Sequence, residues 1–319
     1  MTSHAIAAPC FPGWLTVRMP QAYPSFRRHS LWIRGQCQSL QTNTGEGLNM
    51  SELRQLVLVA GEGDLPVEIV NACQKKHIDV LIIRASGEKQ FKLPAAHHVV
   101  TLANLGETIQ QVKAAGFLNL VFAGKIDHNL LFENYGAMRL QNDLTARGDS
   151  ASLGDNSYFA GLVRFLEAQG FHVVGVQDIL AEAMTPMGIL TTAQPTLKCL
   201  EDAKLGVSIA KKIGEMDIGQ ALVIENRYVL GVEAVEGTDN LIKRCREFKS
   251  PHKEGVLVKV KKAMQDTRID LPVIGETTVR HVVEANLAGI ALEAGWSILI
   301  NKEETLKLAN QAGIFIMGL

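Results

Sequence analysis

Between residues 266 and 270 the chain places two carboxylates, Asp266 and Asp270, a guanidinium, Arg268, and a hydroxyl, Thr267, before Pro272 and Gly275 interrupt regular backbone. In an extended segment side chains alternate, so Arg268 and Asp270 share a polar face while Ile269 and Leu271 turn to an apolar one. Lys259, Lys261 and Lys262 lie just upstream, delivered by a strand-like run over 256–260. Cations hold anionic oxygens and a carboxylate holds a metal or a water, so this set suits a phosphate ester with a divalent cation. The plain alternative is a solvated Arg268–Asp270 surface pair, which contributes little.

A second acidic group, Glu233, Glu236 and Asp239, brackets Gly237 and Thr238. Its oxygens suit a hard cation; equally, they form a solvated edge in which Thr238 or Asp239 caps a helix running to Arg246. A third candidate is the turn Gly61-Glu62-Gly63-Asp64 ahead of Pro66, which follows an apolar run over 56–60. Glycine turns ahead of a helix expose N–H groups to phosphate. A full dinucleotide fingerprint is absent, because Pro66 replaces the third glycine and the next strand ends in Arg84 rather than an acid. Lys125 follows another strand, at the edge where open α/β sheets bind ligands. His252 and His281 are isolated and read as surface histidines.

The elements needed to position these residues alternate. Strands over 56–60, 79–84, 99–102, 118–123 and 171–176, with helices after Pro66 and over 105–115 and 158–169, predict a Rossmann-like parallel sheet. Residues 184–196 are rich in Thr, Pro and Met without periodicity and read as a linker. Beyond it, helices over 197–213, 276–286 and 302–312 join strands over 221–225, 228–234, 289–293, 297–301 and 314–317, with a hairpin turn at Asn226-Arg227. The predicted fold is therefore α/β in two domains, a Rossmann-like domain over 50–183 and a mixed α/β catalytic domain over 197–319.

Residues 1–49 stand apart, with four arginines and one acid, Glu46, and no periodicity. The expectation is that translation starts at Met50 and that these residues are a disordered or mis-called extension. The chain has 319 residues, 47% apolar and 20% charged, ordinary values for a globular protein. A net charge of −1 argues against nucleic-acid binding. No run reaches the roughly 18 apolar residues of a membrane span. The five cysteines are scattered, as in a reducing compartment.

Three segments in this order resemble one family, the LpxI-type UDP-2,3-diacylglucosamine pyrophosphatases. They are 58–68 (LVAGEGDLPVE), 216–220 (MDIGQ) with 232–239 (VEAVEGTD), and 265–275 (QDTRIDLPVIG). The resemblance spans about 56–318; Glu62 departs from it, since the family commonly has glycine there. It implies two domains with substrate between them, and hydrolysis of UDP-2,3-diacylglucosamine to UMP and 2,3-diacylglucosamine 1-phosphate (lipid X) for lipid A. It also implies Mg2+ or another divalent metal, water attacking the sugar-side phosphorus, and Asp270 as the critical acid. The two charges of a pyrophosphate need neutralising, and on that ground Asp270 is assigned to the metal or the attacking water, with Asp239 and Thr238 completing the site. Lys259 and Arg268 are assigned to phosphate oxygens, and Thr267, Gly61, Gly63, Gly237 and Thr238 are the further candidates for substrate contact. Met184, Met187, Ile189 and Leu190 are candidates for an acyl groove. The expected setting is cytoplasmic, peripheral at the inner-membrane surface through the lipid substrate, with room for a homodimer. A nicotinamide-dependent oxidoreductase and a non-catalytic nucleotide-lipid binding protein remain as alternatives.

Overall fold

The computed structural model describes residues 53–85, 97–100, 105–125, 155–262 and 266–319. The extension expected over 1–49, the start at Met50, and Gln265 fall outside them.

In the N-terminal lobe the described elements are β1 (Gln55–Ala60), α1 (Leu65–Lys75), β2 (Asp79–Ala85), β3 (His97–Val100), α2 (Leu105–Ala114), β4 (Asn119–Ala123), α3 (Asp155–Ala168), β5 (His172–Val173) and α4 (Val176–Ile179). The strands pair in parallel in the order β3-β2-β1-β4-β5. Leu56, Val57 and Leu58 are all fully buried, as a central strand covered on both faces requires. The order reverses between β1 and β4, which opens a crevice at their carboxyl ends. The strand expected over 171–176 stops after two residues. There the Gly175 N–H donates to the Asp178 carboxylate at 3.0 Å, which turns the backbone into α4.

The C-terminal lobe comprises β6 (Gly188–Ile189), α5 (Leu197–Glu215), β7 (Ala221–Glu225), β8 (Tyr228–Val232), α6 (Gly237–Cys245), β9 (Val256–Lys259), β10 (Val273–Ile274), α7 (Glu276–Glu284), β11 (Gly289–Leu292), β12 (Ile298–Leu299), α8 (Lys302–Gln311) and β13 (Phe315–Gly318). Six strands form a mixed sheet, β6-β13-β11-β9-β7-β8, with β13, β11 and β9 parallel. The β7–β8 hairpin turns through Asn226 (φ 50°) and Arg227 (φ 67°), the left-handed pair that a tight hairpin needs. Buried Asp202 accepts both of their N–H groups, at 2.8 and 2.7 Å.

The segment expected to link the domains, 184–196, is no free span. Gly188 and Ile189 pair antiparallel with β13, and buried Thr185 donates its N–H to Ser297 O at 2.8 Å. The small parallel β10–β12 pair joins the lobes. Leu271, Ile298 and Ile300 share one apolar core with Leu56, Leu58, Ile69 and Val70 of the N-terminal lobe.

Candidate active site

The loops that end β1 and β4 lock together. The Gly61 N–H donates to Ala123 O at 2.8 Å, and Glu62 and Lys125 exchange backbone hydrogen bonds of 2.7 and 2.8 Å. A Cβ on Gly61 would fall 2.5 Å from Lys125 O, so this glycine is demanded by backbone packing. Gly63 differs: its φ is +103° and nothing lies within 4 Å of where a Cβ would point.

Between this edge and the C-terminal lobe lies a cleft of ≈ 870 Å³, within the range of small-molecule sites. The structure brings six of the expected residues to its wall: Gly63, Gly237, Thr238, Asp239, Lys259 and Asp270. Gly61, Thr267 and Arg268 are not among the residues lining it.

Residues 266–270 form a turn rather than the expected extended segment, with the N–H groups of Ile269 and Asp270 directed at Asp266 O (3.0 and 3.4 Å). The cause is Asp266, whose carboxylate accepts from the Arg268 backbone N–H (3.0 Å), Nε (3.0 Å) and Nη2 (2.7 Å). Arg268 Nη1 reaches Glu167 Oε1 on α3 at 2.7 Å. The guanidinium thus engages two carboxylates, Asp266 and Glu167, rather than lining the cleft where it was expected to meet phosphate. Hydrogen bonds from Arg268 hold the Asp266 carboxyl below its ordinary value despite partial burial, and the same pairing raises Arg268. The turn still separates the apolar side chains: Ile269 packs with the cluster around Val57 and Phe122, and Leu271 with the cluster around Leu56 and Ile69. Asp270 is carried between these two anchors at the cleft wall.

The cleft is rich in buried charge. Lys262 Nζ lies 2.8 Å from Asp217 Oδ1, a largely buried ion pair. Lys259, 7% exposed, donates from Nζ to Val273 O at 3.0 Å, and no ion pair among the described residues includes it. Glu233, 6% exposed, accepts from Thr238 Oγ1 at 2.5 Å and from the Gln220 N–H at 3.2 Å. Helix α6 starts after Glu236, so neither Thr238 nor Asp239 is its cap. Burial raises the Glu236 carboxyl, but hydrogen bonds from backbone N–H groups and from Arg244 outweigh it and leave the group below its ordinary value. His281, expected at the surface, is mostly buried, with Nδ1 3.1 Å from Asp239 Oδ1 in a contact that is not an aligned hydrogen bond.

No three His, Cys, Asp or Glu side chains converge as a metal cage among the described residues. Glu233, Glu236 and Asp217 are engaged by Thr238, Arg244 and Lys262. The two carboxylates expected as metal ligands, Asp270 and Asp239, both line the cleft. Magnesium is commonly held by one or two carboxylates, with water and substrate phosphates completing its shell. Asp270 and Asp239 are of the type that could contribute to such a shell.

Gln220 falls within the segment 216–220 quoted above but had no expected site role; it enters the wall because Gly219 lets the turn after α5 pass Glu233 O, where a Cβ would come within 2.0 Å. Lys125, placed by its sequence position at the edge where ligands bind, also lines the cleft, its Nζ 3.7 Å from where a Gly237 Cβ would sit. The apolar candidates Met184, Met187, Ile189 and Leu190 do not line the cleft; Met184 and Leu190 pack against the two cores. The exposed apolar residues on the cleft are Ile218 (49% exposed) and Val235 (71%).

A Rossmann-like sheet whose carboxyl edge faces a second lobe, across a cleft lined by lysines and carboxylates, defines a two-lobed α/β protein with its candidate site between the lobes. The chain matches the LpxI N-terminal domain over residues 55–183 and the LpxI C-terminal domain over 186–317. It is also similar to the UDP-2,3-diacylglucosamine pyrophosphatase LpxI of Caulobacter vibrioides, 30% identical over 278 residues, which covers 83% of this chain and 98% of that protein. The chain belongs to the LpxI family.

Proposed function

We propose that this chain hydrolyses the pyrophosphate of UDP-2,3-diacylglucosamine, giving UMP and 2,3-diacylglucosamine 1-phosphate, with a divalent cation such as magnesium. The carrying observation is Lys259: a buried side chain on the wall that holds Asp270, its Nζ donating to one carbonyl and in no ion pair among the described residues. Burying an unpaired charge is costly, and an anionic ligand removes the cost. The Caulobacter relative, a UDP-2,3-diacylglucosamine pyrophosphatase, suggests the particular substrate.

The pyrophosphate oxygens sit against Lys259, with Lys125 closing from the other lobe and the first N–H groups of α6, opened by Gly237, adding partial positive charge. Asp270 and Asp239 would hold magnesium, which when bound neutralises phosphate charge and lets a nucleophile approach. Asp270, fixed by Ile269 and Leu271, faces the reacting phosphate. Water oxygen bonds to the sugar-side phosphorus, the bridging oxygen leaves with UMP, and the water protons pass to the product phosphates or solvent. The acyl chains leave past Ile218 and Val235 toward the cytoplasmic face of the membrane that carries the substrate.

UMP release from UDP-2,3-diacylglucosamine in detergent, with and without magnesium, tests this for wild type and Asp270→Asn. Magnesium-dependent release that falls at least about 100-fold in a folded Asp270→Asn is expected. Substrate binding without release would leave a carrier, and protection by NAD instead would leave an oxidoreductase.

A further inference from the structure

One hydroxyl in the cleft has its proton direction fixed. Glu233 is a buried carboxylate, and an ionised carboxylate only accepts hydrogen bonds. Its Oε2 takes the Gln220 N–H, and its Oε1 takes Thr238 Oγ1 at 2.5 Å. The single proton of Thr238 is therefore committed to Glu233, and the hydroxyl presents only lone pairs to the cleft it lines. A pyrophosphate diester at neutral pH carries acceptor oxygens alone, so lone pairs facing it repel. The partner of Thr238 must be a donor. On a cleft whose wall also carries Lys259 and Asp270, the donor that the proposed reaction itself consumes is water.

We propose that Thr238 Oγ1 accepts a hydrogen bond from the attacking water and aims its oxygen at phosphorus, and that Glu233 is the positioning residue that fixes this polarity. This rests on the pyrophosphatase reading above and replaces the phosphate contact expected of Thr238. Glu233 also ties the turn after α5 to the start of α6, accepting from the Gln220 N–H and from Thr238 Oγ1, while its own N–H donates to Ala221 O of β7 at 2.8 Å. A water held only as the transition state forms contributes to kcat, whereas a hydroxyl that binds substrate and transition state alike contributes to KM.

Steady-state kinetics of Thr238→Val, Thr238→Ser and Glu233→Gln, each across a magnesium titration and beside wild type, test the pair. Thr238→Val should lose about 100-fold or more in kcat with KM within about 3-fold, and Thr238→Ser should keep kcat within about 5-fold. Glu233→Gln can no longer accept from both neighbours, so kcat should fall about 10-fold or more, again at near-constant KM. Thr238→Ala replaces the valine variant if its melting curve shows a disturbed fold. A raised KM at unchanged kcat would assign Thr238 to a substrate hydroxyl or amide and overturn the proposal. Recovery of kcat at high magnesium would assign it to the metal and overturn it equally, as would full activity in Thr238→Val. Failure of wild type to release UMP would sink the underlying reading itself, and loss confined to the variants keeps the two outcomes apart.

Discussion

A lysine whose ammonium is buried against one carbonyl is a poor means of holding a fold together. Lys259 sits on β9 between Val258 and Val260, both fully buried, and its side chain occupies a position that an apolar residue of similar length fills at lower desolvation cost. Its presence makes sense as an anion site, and the two roles separate in one variant. Lys259→Met should lower kcat/KM about 100-fold or more while leaving the melting temperature unchanged or a few degrees higher. Thermal unfolding measured beside the kinetics decides it: a melting temperature lowered by more than about 5 °C, with activity preserved, would make Lys259 structural. The same contrast explains what was legible at this scale. Asp270, Asp239 and Lys259 were findable because charge and spacing marked them, Thr238 came in with the pyrophosphate hypothesis, and all four line one cleft. Arg268 carried the same marks and faces elsewhere, because its partner Glu167 lies in the other lobe, beyond what local spacing can show.

At the scale of elements, the turn over 266–270 depends on the fork between Asp266 and Arg268. The Asp266 carboxyl is held below its ordinary value of 3.8 in the folded state, chiefly by hydrogen bonds from Arg268. A lowered folded value means the contribution is complete above the ordinary value and is lost as pH falls through the folded one. The group is partly exposed, so solvent screening limits it to about 1 kcal/mol. Asp266→Asn should therefore lower the melting temperature by about 2–4 °C near pH 7, and the difference should vanish near pH 2. Melting curves from pH 7 to pH 2 check this, and a difference that persists at pH 2 would attribute the loss to the turn's backbone contact alone. Elements with strong periodicity were readable from sequence: β1, β4, α5 and the β7–β8 hairpin fall within a residue or two of expectation. The turn was misread because a side-chain fork two residues apart overrides alternation, and the strand expected over 171–176 was shortened by Asp178 for the same kind of reason.

For the whole molecule, the two-lobed α/β plan was visible in the alternation of strands and helices, but the joint between the lobes was not. The β10–β12 pair is made of two-residue strands, too short to leave a periodic signal, and while Ile274 and Leu299 face their own lobe's core, Val273 and Ile298 face that of the other lobe. Leu271, Ile298 and Ile300 complete the core of the N-terminal sheet, so that sheet is not finished by its own residues. Asp270 rides on this joint, which ties the geometry of the cleft to the integrity of the shared core. The lobes should accordingly unfold as one cooperative unit rather than two. Ile298→Ala deletes a fully buried side chain from the joint and should cost about 2–5 kcal/mol. Hydrogen exchange followed by mass spectrometry in mild denaturant gives the readout. In wild type, peptides from β1 and from β11 should open with one free energy, and in Ile298→Ala both should lose protection together. Loss confined to peptides of the C-terminal lobe, with β1 unchanged, would show that the N-terminal sheet stands without the joint and that the cleft is held by something else.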